Sequence, residues 1–119
     1  MEYAIQTDIK YGPLERIDVA RLARECDVRW WNQTLCKVND CVLRLGVFEG
    51  EFHWHKHDKE DEVFYVIEGK LLLDLETQTV ELEPGQGFLV PRGVVHRTRA
   101  PQRTTVIMVE AASIAPTGD

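Results

Sequence analysis

The sequence predicts an all-β domain, a sandwich or barrel of short strands. Three observations carry that reading. From Trp30 onward, segments rich in Val, Leu, Ile and Phe recur every few residues. Turn signals separate them: Asn39-Asp40, Glu49-Gly50, the polar run from Asp58 to Asp61, Gly69, Thr77-Gln78, Pro84-Gly85, Pro91-Arg92-Gly93 and Ala100-Pro101. A chain of 119 residues can bury one core of this kind, with too little left over for a second.

Residues 1–30 stand outside this grammar and are expected to be a helical or extended segment packed on the barrel or on a partner. Asp18 is placed to cap a short helix, in which Val19, Leu22, Ala23 and Cys26 share one face. Strands are expected at 31–38, 41–48, 51–57, 63–68, 70–75, 79–82, 87–91, 96–99 and 104–110. With Asn39-Asp40 as a two-residue turn, Val38 faces Cys41 and Cys36 faces Leu43. The barrel is expected to span 31–112, followed by a frayed, flexible tail over 113–119.

Composition narrows the function classes. With 44% hydrophobic and 29% charged residues, the chain reads as an ordinary globular protein and not as a disordered one. No apolar run is long enough to cross a bilayer, and the first residues lack a basic stretch leading into an apolar one, so a cytoplasmic protein is expected. A net charge of −6 disfavours nucleic acid and anionic membranes as partners. The densest basic group, Arg92, Arg97, Arg99 and Arg103, reads as a solvated strand face. The three cysteines, Cys26, Cys36 and Cys41, lack paired metal-binding spacing and are expected to be free and mostly buried.

Chemistry concentrates at the histidines. The chain has four: His53, His55, His57 and His96. In an extended segment, residues two apart point to one face, so the first three project together. Glu62, beyond a polar loop, can bring a carboxylate to the same place, and His96 arrives from a distant strand. Three imidazoles and one carboxylate suit a borderline divalent ion: Fe, Mn, Ni or Zn, with Cu also in range. His53 alone reads as a structural or surface residue, and Glu60 and Asp61 as a solvated acidic turn.

The spacing of these residues resembles a known family. Gly50-x4-His55-x-His57-x4-Glu62-x6-Gly69 and Gly85-x5-Pro91-x-Gly93-x2-His96 are similar to the two signature motifs of the cupin superfamily. The resemblance implies a double-stranded β-helix, a jelly-roll-like cupin barrel, with His55, His57, Glu62 and His96 binding one divalent transition metal near its open end. The glycines have a physical rationale, since Gly69, Gly85 and Gly93 fall where turns need permissive dihedrals. Two positions depart from the pattern. Four residues instead of five precede the first ligand histidine, and Ala100 stands where Asn often follows the last. The spacing to Glu62 and Gly69 assigns the first two ligands to His55 and His57 and leaves His53 at the rim.

The resemblance to small single-domain cupins also implies a homodimer, with Trp30-Trp31 and the segment before them as contacts. It points to a metal-dependent enzyme on a small molecule, of dioxygenase or sugar/keto isomerase type. The alternative is a non-catalytic cupin that binds or senses a small ligand. Glu51, Tyr65, Lys70 and Arg44 are the ionisable residues that can face in or out as proton carriers, and none is singled out.

Overall fold

The structure is a computed structural model that describes residues 2–119. Its elements in chain order are β1 (Ala4–Gln6), α1 (Val19–Glu25), β2 (Trp30–Val38), β3 (Cys41–Glu51), β4 (Glu62–Glu68), β5 (Leu71–Leu75), β6 (Thr79–Leu82), β7 (Gly87–Val90) and β8 (His96–Ala111). They form a cupin-type double-stranded β-helix whose strand ladder does not close.

The long strand β8 organises it. Its C-terminal part lies between β3 and β4 in a sheet ordered β1-β2-β3-β8-β4-β7, while its first residues, His96 to Arg99, pair with β5, which pairs in turn with β6. One strand thus serves both sheets, and the interior lies between them. Ala100-Pro101, expected to end a strand, instead lies within β8. Here the β3 pairing jumps from Phe48–Thr104 to Gly50–Ala100, so the proline falls in a bulge where no ladder donor is needed.

The hairpin of β2 and β3 has the expected register, with Val38 opposite Cys41 and Cys36 opposite Leu43, and Asn39 takes the left-handed conformation at the turn. The helix also falls as expected. The Asp18 side chain accepts from the Arg21 backbone N–H at 3.1 Å, and Leu22 packs with Leu35, Leu45 and Val47. A larger apolar cluster fills the interior around Trp30, Phe48, Phe52, Phe64 and Met108.

The expected strand over 51–57 and the expected burial of the cysteines need correction. The segment 51–57 is not a regular strand beyond Glu51; past that residue it meets β8 through the Phe52 N–H, which donates to Thr98 O at 2.9 Å, and through the reciprocal bridge of His55 with His96. Residues 4–6 pair in parallel with β2 of the same chain. Trp30 is 1% exposed and stacks on Phe48 at 4.2 Å, so it packs in the core of this chain. The cysteines are free, but Cys41 is exposed and the other two are half-buried. The tail folds back over the end of the β-helix: Ile114 is buried, and the Asp119 N–H donates to Lys56 O at 2.9 Å. No described helix is long and apolar enough to cross a membrane.

Candidate metal centre

Two backbone connections bring the distant ligands together. His55 and His96 exchange backbone hydrogen bonds of 2.9 and 2.8 Å, and the Gly93 N–H donates to His57 O at 2.8 Å. Gly93 has a φ of 80°, so the turn that delivers His96 favours glycine at this position. Glu62 opens β4 beside β8, opposite Glu110.

The side chains then converge. The ligand atoms of His55, His57, Glu62 and His96 all lie within 4.8 Å of one another. Glu62 Oε1 is 3.5 Å from Nε2 of both His57 and His96. His57, Glu62 and His96 are buried, and His55 is half-buried. His53 is exposed at the rim, where its Nε2 meets Thr117 O at 2.6 Å and its ring stacks on Phe52.

Neighbouring carbonyls set the tautomers. His55 Nδ1 lies 3.0 Å from His53 O, and His96 Nδ1 lies 2.9 Å from Val94 O. A carbonyl only accepts, so each Nδ1 carries the proton and each Nε2 keeps its lone pair for the centre. His96 Nε2, both ring nitrogens of His57 and Glu62 Oε1 are buried without a hydrogen-bond partner. Orphaned buried polar atoms are costly, and several aimed at one point fit a cation between them. The residues present can hold a metal ion.

Electrostatics supports the same reading. Burial pushes the His55 imidazole down to about 4, helped by the neighbouring His96 and His57 and opposed by its bond to His53 O. It is therefore neutral and able to ligate at physiological pH. Burial also penalises charge on Glu62, but the neighbouring Glu110 carboxyl and the His57 and His96 imidazoles outweigh it and hold this carboxyl below the usual range. Burial and the adjacent Glu62 push the Glu110 carboxyl up, and the Arg44 guanidinium opposes the rise.

The His55 shift fixes a pH dependence for the metal-free protein. Between the ordinary value of 6.5 and about 4, the unfolded chain binds this proton and the folded chain does not. Stability is expected to fall as pH drops through that window. Urea unfolding of the metal-free protein at several pH values checks this, with His55→Gln expected to flatten the slope.

Glu110 is the part that sequence reasoning missed. Its signal was a lone carboxylate at the end of an apolar strand. Arg44 is 3.1 Å from it through Nε, with side chains 2% and 1% exposed, and also donates to Asn32 Oδ1 and Thr34 Oγ1. Of the other ionisable residues considered, Glu51 pairs with Arg97, Lys70 with Glu81, and Tyr65 is exposed. Arg97 and Arg99 both bind Asp74, and Arg103 donates to carbonyls at the end of α1, so much of the basic group is tied up in the fold.

Behind the cluster lies a cavity of about 20 Å³, lined by Trp30, Phe48, Phe52, Phe64 and Met108, with Asn32 and Thr98 as neutral polar groups. Pro116 of the tail also lines it.

Fold, motif spacing and site define a small cupin, and comparison with known proteins agrees. Residues 42–111 match the Cupin domain family, and the chain belongs to the cupin superfamily. It is 42% identical over 90 residues to the uncharacterized protein YdbB of Bacillus subtilis (strain 168), covering 75% of this chain and 80% of that one. A cupin-2 domain containing protein from Shewanella frigidimarina superposes with a TM-score of 0.76 at 30% identity, over 80% of this chain and 93% of that one. Protein NMB1881 from Neisseria meningitidis shares the fold, with a TM-score of 0.72 at 21% identity, over 82% and 99%.

Proposed function

We propose that this cupin is a metal-dependent enzyme acting on a small molecule, with His55, His57, Glu62 and His96 binding one Fe, Mn, Ni or Zn ion. The observation that carries the reading is the convergence of buried, unpartnered His57, His96 and Glu62 atoms on one point. A divalent ion held by these four residues would supply a Lewis acid to a bound small molecule. The protein's own residues set the frame. Val94 O and His53 O orient two imidazoles, Glu110 stands opposite Glu62 across the pairing of β4 and β8, and aromatic side chains line the interior beside the cluster.

Within that class the lining favours oxygenase-type chemistry over sugar or keto isomerisation. An isomerase needs a side chain that carries a proton between carbons. Apart from the ligand set, the cavity walls supply apolar groups, an amide and a hydroxyl. The same lack of a proton carrier favours the second reading, a cupin that binds a small ligand without turning it over. The proposal includes a cytoplasmic homodimer. The outer face of β4, β7 and β8 supports the dimer, since Tyr65, Leu89 and Val109 are exposed there around Val63.

Elemental analysis of the purified protein is expected to find about one transition metal per chain. No metal after reconstitution would defeat the site. His53→Ala is expected to keep the metal, because its ring faces Thr117 O outside the cluster. Oxygen uptake across a substrate panel, lost with the ligand variants, separates the enzyme from the binding protein. Light scattering tests the dimer.

A further inference from the structure

We propose that Asp119, with Glu60 beside it, is the outer partner of His57: through one bridging water its carboxylate receives the hydrogen bond of His57 Nδ1–H and so holds the ring that presents Nε2 to the metal. The inference rests on the metal reading above and adds positioning residues that act on the centre through one of its ligands.

The need comes from His57. Its Nε2 lies 3.5 Å from Glu62 Oε1 and faces the centre. To ligate there it must keep its lone pair, so the proton sits on Nδ1. His55 and His96 give theirs to the carbonyls of His53 and Val94. His57 is 2% exposed, and its Nδ1 has no hydrogen-bond partner among the described residues. A buried N–H without an acceptor is costly, and a ligand ring without an outer partner is less firmly oriented.

The partner comes from the tail. A ring nitrogen of His57 and one carboxylate oxygen each from Glu60 and Asp119 lie within 4.8 Å of one another. One water spans such a gap, accepting from the imidazole and donating to a carboxylate. Asp119 is fixed by the residues on either side of His57. Its N–H donates to Lys56 O at 2.9 Å, and its Oδ2 accepts from the Asp58 N–H at 2.6 Å. That leaves Oδ1 for the water. Glu60 is held in turn by Ser113, whose Oγ–H donates to its Oε2 at 3.2 Å. Gly118 lets the tail come this close, since its φ is 95° and an added Cβ would stand 2.5 Å from the Cβ of His55.

The test uses the full chain loaded with Co(II). Chelator competition reads the affinity, and proton NMR in water reads the cobalt-shifted N–H signal of each ligand imidazole. Asp119→Asn keeps one oxygen for the Asp58 N–H but turns a donor toward the water, which then has no acceptor there. This variant is expected to bind Co(II) about 10-fold more weakly, and the double variant Asp119→Asn with Glu60→Gln up to about 100-fold. In both, the His57 N–H signal is expected to shift and exchange faster while those of His55 and His96 stay in place. Asp58→Asn, which removes a nearby exposed charge and keeps its backbone N–H, is expected to leave affinity and signals unchanged. A double variant that is folded by circular dichroism and keeps both the parent's affinity and its His57 signal would overturn the inference. So would a loss in Asp58→Asn equal to that in Asp119→Asn, since charge alone would then account for it. A loss confined to Glu60→Gln, with Asp119→Asn silent, would overturn the assignment to Asp119. A parent chain that binds no cobalt defeats the metal reading and this inference with it, whereas cobalt bound equally by parent and variants defeats this inference alone.

Discussion

His96→Ala is expected to purify without its metal and to bind Co(II) or Zn(II) more than about 100-fold more weakly than the parent chain. Loss of an outer-shell partner of a metal ligand typically costs 10- to 100-fold, and His96 is in direct reach of the centre, with Nε2 3.5 Å from Glu62 Oε1. It is also the ligand that closes the set, since the other three come from the stretch between β3 and the start of β4. The backbone bridge from residue 96 to His55 does not need the imidazole, so the variant is expected to stay folded. Competition against a chromophoric chelator reads the affinity, and circular dichroism reads the fold. Tight binding retained in His96→Ala would place the metal elsewhere.

Much of this site was legible because its determinants are local. The pair His55 and His57, the gap to Glu62, and the glycine turn before His96 are all matters of spacing, and spacing is visible in a sequence. The two-residue turn at Asn39-Asp40 and the Asp18 cap were legible for the same reason. What escaped depends on partners distant in the chain. Nothing near Glu110 announces that β8 will set it opposite Glu62, or that Arg44 will arrive from β3. Residues 51–57 alternate like a strand, yet past Glu51 they meet β8 only at Phe52 and His55, and the alternation does not reveal how few ladder bonds they find. The tail is polar and rich in Pro and Gly, which reads as a frayed end. Its hold comes from backbone groups meeting His53, Lys56 and Asp58, and composition does not encode that.

Replacing Glu110 by Ala is expected to destabilise the fold by about 3–5 kcal/mol, the usual consequence of stranding a buried charge. Arg44 would be left in the interior with the neutral oxygens of Asn32 and Thr34 as its nearest partners. The double variant Arg44→Met with Glu110→Leu is expected to recover most of that loss, because a buried ion pair replaced by apolar side chains of similar volume is often neutral or stabilising. Recovery of the fold does not restore the site. Glu62 would lose the carboxyl that stands opposite it, and metal affinity is expected to stay 10- to 100-fold down. Stability and metal binding therefore part company in the double variant. Urea unfolding measures the first and chelator competition the second. If the double variant instead binds metal like the parent, the buried pair supports the strands alone, and the cluster needs nothing from Glu110.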